Sequence, residues 1–126
     1  MKKIFFGLLG LTLISILFAA CRVVDADTLP KNPKVTMGSS VFTTPSVTIH
    51  KGDKLDLVNT SSNTHTLLNG QWKGTTQDKT TEAGAPTVNG STQPGQTLTV
   101  GPFNTAGTFH IYCDIHQGMN LVVIVQ

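Results

Sequence analysis

Val47-Thr48-Ile49 and Leu55-Asp56-Leu57 alternate apolar with polar residues, the period-two pattern of a strand with one face buried. Thr97-Leu98-Thr99-Val100 repeats it. Phe109 to Cys113 reads as a further strand opened by Ala106-Gly107, and Leu121–Val125 is a short run of β-type residues. Lys51-Gly52-Asp53, Asn69-Gly70, Asn89-Gly90 and Pro94-Gly95 punctuate these runs as turn signals. Nothing reads as a long helix. Short strands at this spacing predict an all-β domain built as a β-sandwich. Residues 73–94 differ, being rich in Thr, Gly and Pro with few apolar positions, and are expected to cover the sandwich edge as loop with short strands.

The N-terminal pattern is of another kind. Lys2 and Lys3 precede an apolar run from Ile4 to Phe18, then small Ala19 and Ala20, then Cys21. This is the layout of a bacterial secretory signal. Small residues just before a cysteine resemble the lipobox of bacterial lipoproteins, in which the cysteine is acylated and becomes the first residue. The departure is Phe18 where the lipobox usually has Leu, with Leu17 one place off. The alternatives are a plain signal cleaved after Ala20 and an uncleaved membrane anchor, since Ile4–Ala20 is near the short limit for a span. The expected organisation is a lipoprotein signal peptide over 1–20, an acylated Cys21 and polar tether over 21–34, and a domain over 35–126.

Charge changes the picture by exclusion. The chain has 126 residues and a net charge of +2, but without Lys2 and Lys3 seven basic residues face seven acidic ones. With no basic cluster, nucleic acid is not an expected partner. Of the two cysteines, acylation of Cys21 would leave Cys113 without an intrachain disulfide partner in an oxidising compartment. Such a thiol is expected to be buried or bound to a metal.

Cys113, His116 and Met119 follow one another as Cys-x2-His-x2-Met between two strands, with Gly118 giving the loop freedom to turn. His65 lies upstream, in the loop expected after Leu57-Val58-Asn59. A thiolate, two imidazoles and a thioether form a soft set suited to copper. Zinc prefers four stronger donors, and calcium and magnesium want oxygens. Each residue alone has a blander reading: Cys113 as an inert core thiol, His65 and His116 as surface imidazoles, Met119 as core filling. The spacing and the flanking strands favour the joint reading as a copper site.

PSVTIHKGDKLDLVN and GTFHIYCDIHQGM resemble two segments of the cupredoxins, the type 1 blue copper proteins, of the plastocyanin and amicyanin group. His65 stands where that family has its first imidazole ligand, and the short His-x2-Met spacing is the amicyanin one. The resemblance spans most of residues 35–126. It implies an eight-stranded Greek-key sandwich with one copper ion at one end, a hydrogen bond from the Thr66 amide to the Cys113 sulfur, and the Thr64 carbonyl near the metal opposite Met119. Leu121 departs from the glycine that many members carry two residues after the methionine.

Other candidates carry less. His50 is expected to be exposed at a turn, His110 to face the surface, and Met37 to lie in the core. Trp72 is expected to pack on the sandwich, with a place on a docking surface as the alternative. The acceptor patterns at Asn59-Thr60-Ser61 and Asn89-Gly90-Ser91 are expected to mean nothing. The function expected is electron transfer, not catalysis, by a monomer tethered through lipid at the outer face of the cytoplasmic membrane. Its partners would be redox proteins such as cytochromes or membrane oxidase and reductase complexes. The alternative is a copper-binding or copper-delivery lipoprotein without redox turnover.

Overall fold

The structure is a computed structural model and describes residues 31–126; Cys21 and the residues before 31 expected to form a signal and tether lie outside them. It contains ten strands: β1 (Lys34–Met37), β2 (Ser46–Ile49), β3 (Leu55–Asn59), β4 (His65–Asn69), β5 (Gln71–Lys73), β6 (Thr76–Asp78), β7 (Asn89–Thr92), β8 (Thr97–Val100), β9 (Gly107–Cys113) and β10 (Asn120–Val125). Eight of them make two sheets, β1-β3-β8 and β2-β10-β9-β4-β7, and β5 and β6 form a separate hairpin. The sandwich expected from the strand spacing is therefore present.

The alternation read from the sequence sets which face is buried. In β3, Leu55, Leu57 and Asn59 point inward and Asp56 and Val58 are half-buried. In β10, Leu121, Val123 and Val125 are buried with half-buried residues between them. The buried leucines and valines meet Val35, Met37, Ile49, Leu67, Phe109 and Ile111 in one core between the sheets. Each such side chain contributes about 1.5–3 kcal/mol on removal from water. Leu121 is fully buried opposite Ile111, so a leucine in place of glycine fills the core beneath the loop.

Two expectations are adjusted. Asn89-Gly90 is not a turn but the start of edge strand β7, where Gly90 pairs with Leu67 and a Cβ would stand 2.9 Å from Leu98 Cδ1. Residues just before 35 also contact the sandwich: the Pro33 carbonyl accepts from the Asp56 amide at 2.9 Å, and Asn32 Nδ2 donates to Asp56 Oδ1 at 3.0 Å. His65 opens strand β4 instead of sitting in the preceding loop. Residues 73–94 do cover the edge, supplying β6 and β7 around a loop pinned by the hydrogen bond between His110 Nδ1 and Glu82 Oε1 at 2.5 Å.

Candidate metal centre

Strand register brings the ligand candidates together. β9 lies between β10 and β4, with Leu67 opposite Cys113. Cys113 ends β9, so its side chain points into the core end of the sandwich, while Tyr112 before it points to the outer face. The loop turns back within six residues, and Gly118 adopts φ +77 to let it do so. Two backbone bonds close it: Cys113 N–H donates to the Met119 carbonyl at 3.0 Å and Met119 N–H to the His116 carbonyl at 3.2 Å. Asp114 N–H ties the loop to β4 through the Thr66 carbonyl at 2.8 Å.

The result is a cluster at one end of the core. His65 Nδ1 lies 3.6 Å from Cys113 Sγ, and His116 Nδ1 lies 3.4 Å from it. One ligand atom from each of the three residues falls within 4.8 Å of the others. Met119, on the same loop, is buried at 1% exposure. His65 and Cys113 are fully buried and His116 half-buried, so one imidazole alone reaches toward solvent. Both Nδ1 atoms face the sulfur, and His65 Nε2 on the far side of the ring lies 3.2 Å from Ser61 Oγ. Burial, and after it the charge of neighbouring His116, hold the His65 imidazole below its ordinary pKa of 6.5, with a hydrogen bond to Gly38 opposing. The ring is thus neutral at pH 7, as a metal ligand must be.

A buried asparagine holds the His65 loop. Asn59 Nδ2 donates to the Asn63 carbonyl at 2.7 Å and the Thr92 carbonyl at 3.3 Å, while its Oδ1 accepts from Ser61 N–H and from Ser61 Oγ–H at 3.0 and 2.8 Å. Asn59, Ser61 and His65 therefore form one chain of contacts, with Thr64 fixed by its hydroxyl to Gln93 Oε1 at 2.9 Å. The expected bond from the Thr66 amide to sulfur is not made; among the described residues the hydrogen-bonding neighbours of Cys113 Sγ are the two imidazoles. Met37 is core and fully buried, and the His50 side chain is 86% exposed, both as expected. His110 faces outward but is largely covered by its pairing with Glu82. Trp72 packs, edge-on to Tyr112 with ring centroids 6.1 Å apart. A shallow cleft of about 250 Å³ on the outer face, lined in part by Tyr112, Lys79 and Thr87, is separate from the cluster.

A thiolate flanked by two imidazoles, with no carboxylate in the group, suits copper better than any hard cation. Comparison with known proteins agrees. A family model described as copper binding proteins, plastocyanin/azurin family, matches residues 31–126. The chain belongs to the plastocyanin/azurin family of copper-binding proteins. Its cofactor is therefore copper, and the donor cluster fits that ion. Among solved structures, amicyanin from Paracoccus versutus aligns with a TM-score of 0.59 at 23% identity, covering 79% of this chain and 87% of that one. The P52G mutant of amicyanin in its reduced Cu(I) form aligns at 0.58 and 20% identity, covering 86% and 90%. A purple cupredoxin from Nitrosopumilus maritimus aligns at 0.58 and 15% identity, covering 75% of this chain and all of that one. At these identities the likeness establishes the cupredoxin fold. No curated protein matches the chain by sequence.

Sequence reasoning passed over Ser61, Gln77 and Asn120, and it assigned Asn59 no role in holding His65. Asn59 was the detectable one: an asparagine at the buried end of an alternating strand, six residues before a ligand candidate, requires partners for every polar atom.

Proposed function

We propose that this chain is a single-domain type 1 copper protein that carries electrons, with His65, Cys113, His116 and Met119 holding the ion. The observation that supports this most directly is the approach of two Nδ1 atoms to one buried sulfur at 3.6 and 3.4 Å. When bound, copper accepts and returns one electron by alternating between Cu(II) and Cu(I). Cys113 would supply the strong thiolate donor, His65 and His116 two imidazole donors, and Met119 a weak thioether suited to tuning the potential. Four protein donors leave no substrate position, which favours a carrier over an enzyme. The loop bonds and the Asn59–Ser61–His65 chain hold the donors in one arrangement, so little has to move when the charge changes.

His116 is the half-buried ligand, and neighbouring Ile115 is 55% exposed. This makes the His116 edge the natural place for a redox protein to dock, a cytochrome or a membrane oxidase or reductase complex. The charged start, apolar run and small residues before Cys21 support a lipid anchor at the extracytoplasmic face of the membrane, with a monomer on a short tether. Mass spectrometry of the membrane-extracted protein tests the anchor: a diacylated Cys21 at the N-terminus is expected, and an unmodified mature chain starting there rules it out.

Reconstitution with Cu(II) tests the function. Intense thiolate-to-copper absorption and fast, reversible reduction are expected. Colourless Cu(I) binding with ready transfer to a chelator would instead identify a delivery protein. Replacing Cys113→Ser is expected to abolish the colour, and its survival would overturn the ligand assignment.

A further inference from the structure

The β5–β6 hairpin belongs to neither sheet, yet it touches the ligand loop at both ends. Trp72 Nε1–H donates to the carbonyl of Cys113 at 2.8 Å. Gln77 Nε2 donates to the carbonyl of Asp114 at 3.2 Å. Where the loop returns, Trp72 N–H donates to Asn120 Oδ1 at 2.7 Å and Asn120 Nδ2 donates to the Trp72 carbonyl at 3.0 Å. Cys113 and Asp114 open the loop and Asn120 follows Met119, so four bonds from one hairpin clasp the segment that bears three of the four ligands.

The hairpin is placed for this with little slack. Gly70 turns the chain from β4 into β5 at φ +114, donates its own N–H to the His110 carbonyl at 3.0 Å, and leaves no room for a side chain: a Cβ there would stand 2.1 Å from the Asp78 carbonyl oxygen. The indole also seats its edge on Tyr112, the residue before the cysteine, at an interplanar angle of 89°. With the ring seated there, its N–H points to the Cys113 carbonyl.

We propose that the β5–β6 hairpin is a brace for the copper loop and that Trp72 is its positioning residue, acting on the metal through the backbone of Cys113; this rests on the electron-carrier reading above. Two effects follow from the geometry. The bonds hold the loop in its ligating shape whether or not metal is present. The positive end of the indole N–H dipole also points at the peptide carbonyl of the thiolate residue. The reduced site carries one more negative charge than the oxidised one, so a donor aimed there favours the reduced state. Removing it lowers the reduction potential.

Trp72→Phe keeps a ring against Tyr112 and removes the N–H. In the metal-free chain, the amides of Cys113, Asp114 and Met119 are expected to exchange roughly fivefold faster with solvent deuterium, the effect of losing about one net hydrogen bond. Amides of β3 and β8 should be unchanged. In the copper-loaded chain, the thiolate-to-copper band is expected to persist but shift, and the midpoint potential to fall. Unchanged loop exchange with an unchanged potential would overturn the proposal, as would faster exchange spread evenly over both sheets, the signature of a general packing role. Should Trp72→Phe not fold, Gln77→Met removes the second donor from a half-buried position and is held to the same two readouts, with a smaller shift in each. The electron-carrier reading stands or falls on the spectrum of the unsubstituted copper-loaded chain, while the exchange measurement needs no copper, so the two failures are distinguishable.

Discussion

Asn59 and Tyr112 are both buried, and their polar atoms fare differently. Asn59 has partners for its amide hydrogens and its carbonyl oxygen. The Tyr112 hydroxyl has none among the described residues, and burial, followed by the charge of Asp114, raises its pKa so that it stays protonated. A side chain whose removal strands other buried groups is costly; one that bonds nothing is not. Asn59→Ala is expected to destabilise the metal-free chain by about 3 kcal/mol, because the carbonyls of Asn63 and Thr92 and the amide of Ser61 lose their partner. Tyr112→Phe is expected to change stability by less than about 1 kcal/mol. Urea denaturation measures both. The first substitution should also weaken copper binding, since Ser61 would no longer be fixed beneath His65.

At the scale of the element, the β5–β6 hairpin carries its own electrostatic lock. Lys73 Nζ lies 2.6 Å from Asp78 Oδ2, and Thr80 donates to Asp78 Oδ1 through its amide at 3.1 Å and its hydroxyl at 2.5 Å. Lys73 first, and then Thr80, lower the Asp78 carboxyl from 3.8 to about 2. A lowered folded-state value means the unfolded chain binds the proton first as pH falls. The contribution is complete above pH 3.8 and is lost through about pH 2. Amide exchange in residues 71–80, followed as acid is added, should quicken in that window while β9 and β10 stay protected, and salt should reduce the Lys73 part.

The same hairpin marks the limit of what sequence shows. Cys113, His116 and Met119 were legible because a strand, a tight loop and a returning strand put them together locally, and the period of two in β3 and β10 displayed the core face directly. Trp72 and Gln77 reach residues 41 and 37 positions away, from a segment with little apolar periodicity. Only the folded register brings them to the loop. The edge strand β7 was hidden for a related reason: Asn89-Gly90 has turn chemistry, but tertiary packing against Leu98 gives the glycine a different use.

For the whole molecule, the donor cluster is continuous with the core, since Cys113 and Met119 pack in the same cluster as Leu57, Phe109 and Val123. Metal binding should therefore register in global stability. An ion that binds only the folded chain adds about 2.7 kcal/mol at a free concentration one hundred times its Kd. Stripping copper with a chelator is expected to lower Tm by roughly 10 °C or more for a domain of this size, and scanning calorimetry of loaded and stripped samples measures it.

His65 and Cys113 stand 48 positions apart, and Cys113 is the free cysteine among the described residues. Two residues that grip one ion close the intervening chain into a ring. On the entropy scale used for disulfides, closing a ring of that length costs a flexible chain about 4 kcal/mol, a cost the fold has already met when it brings the two side chains together for the ion. A reductant that would cut a disulfide leaves this ring shut, because it alters only the charge of what the ligands hold. With copper held as proposed, the domain would be cross-linked by its own redox centre, and the tie would survive every turn of the electron.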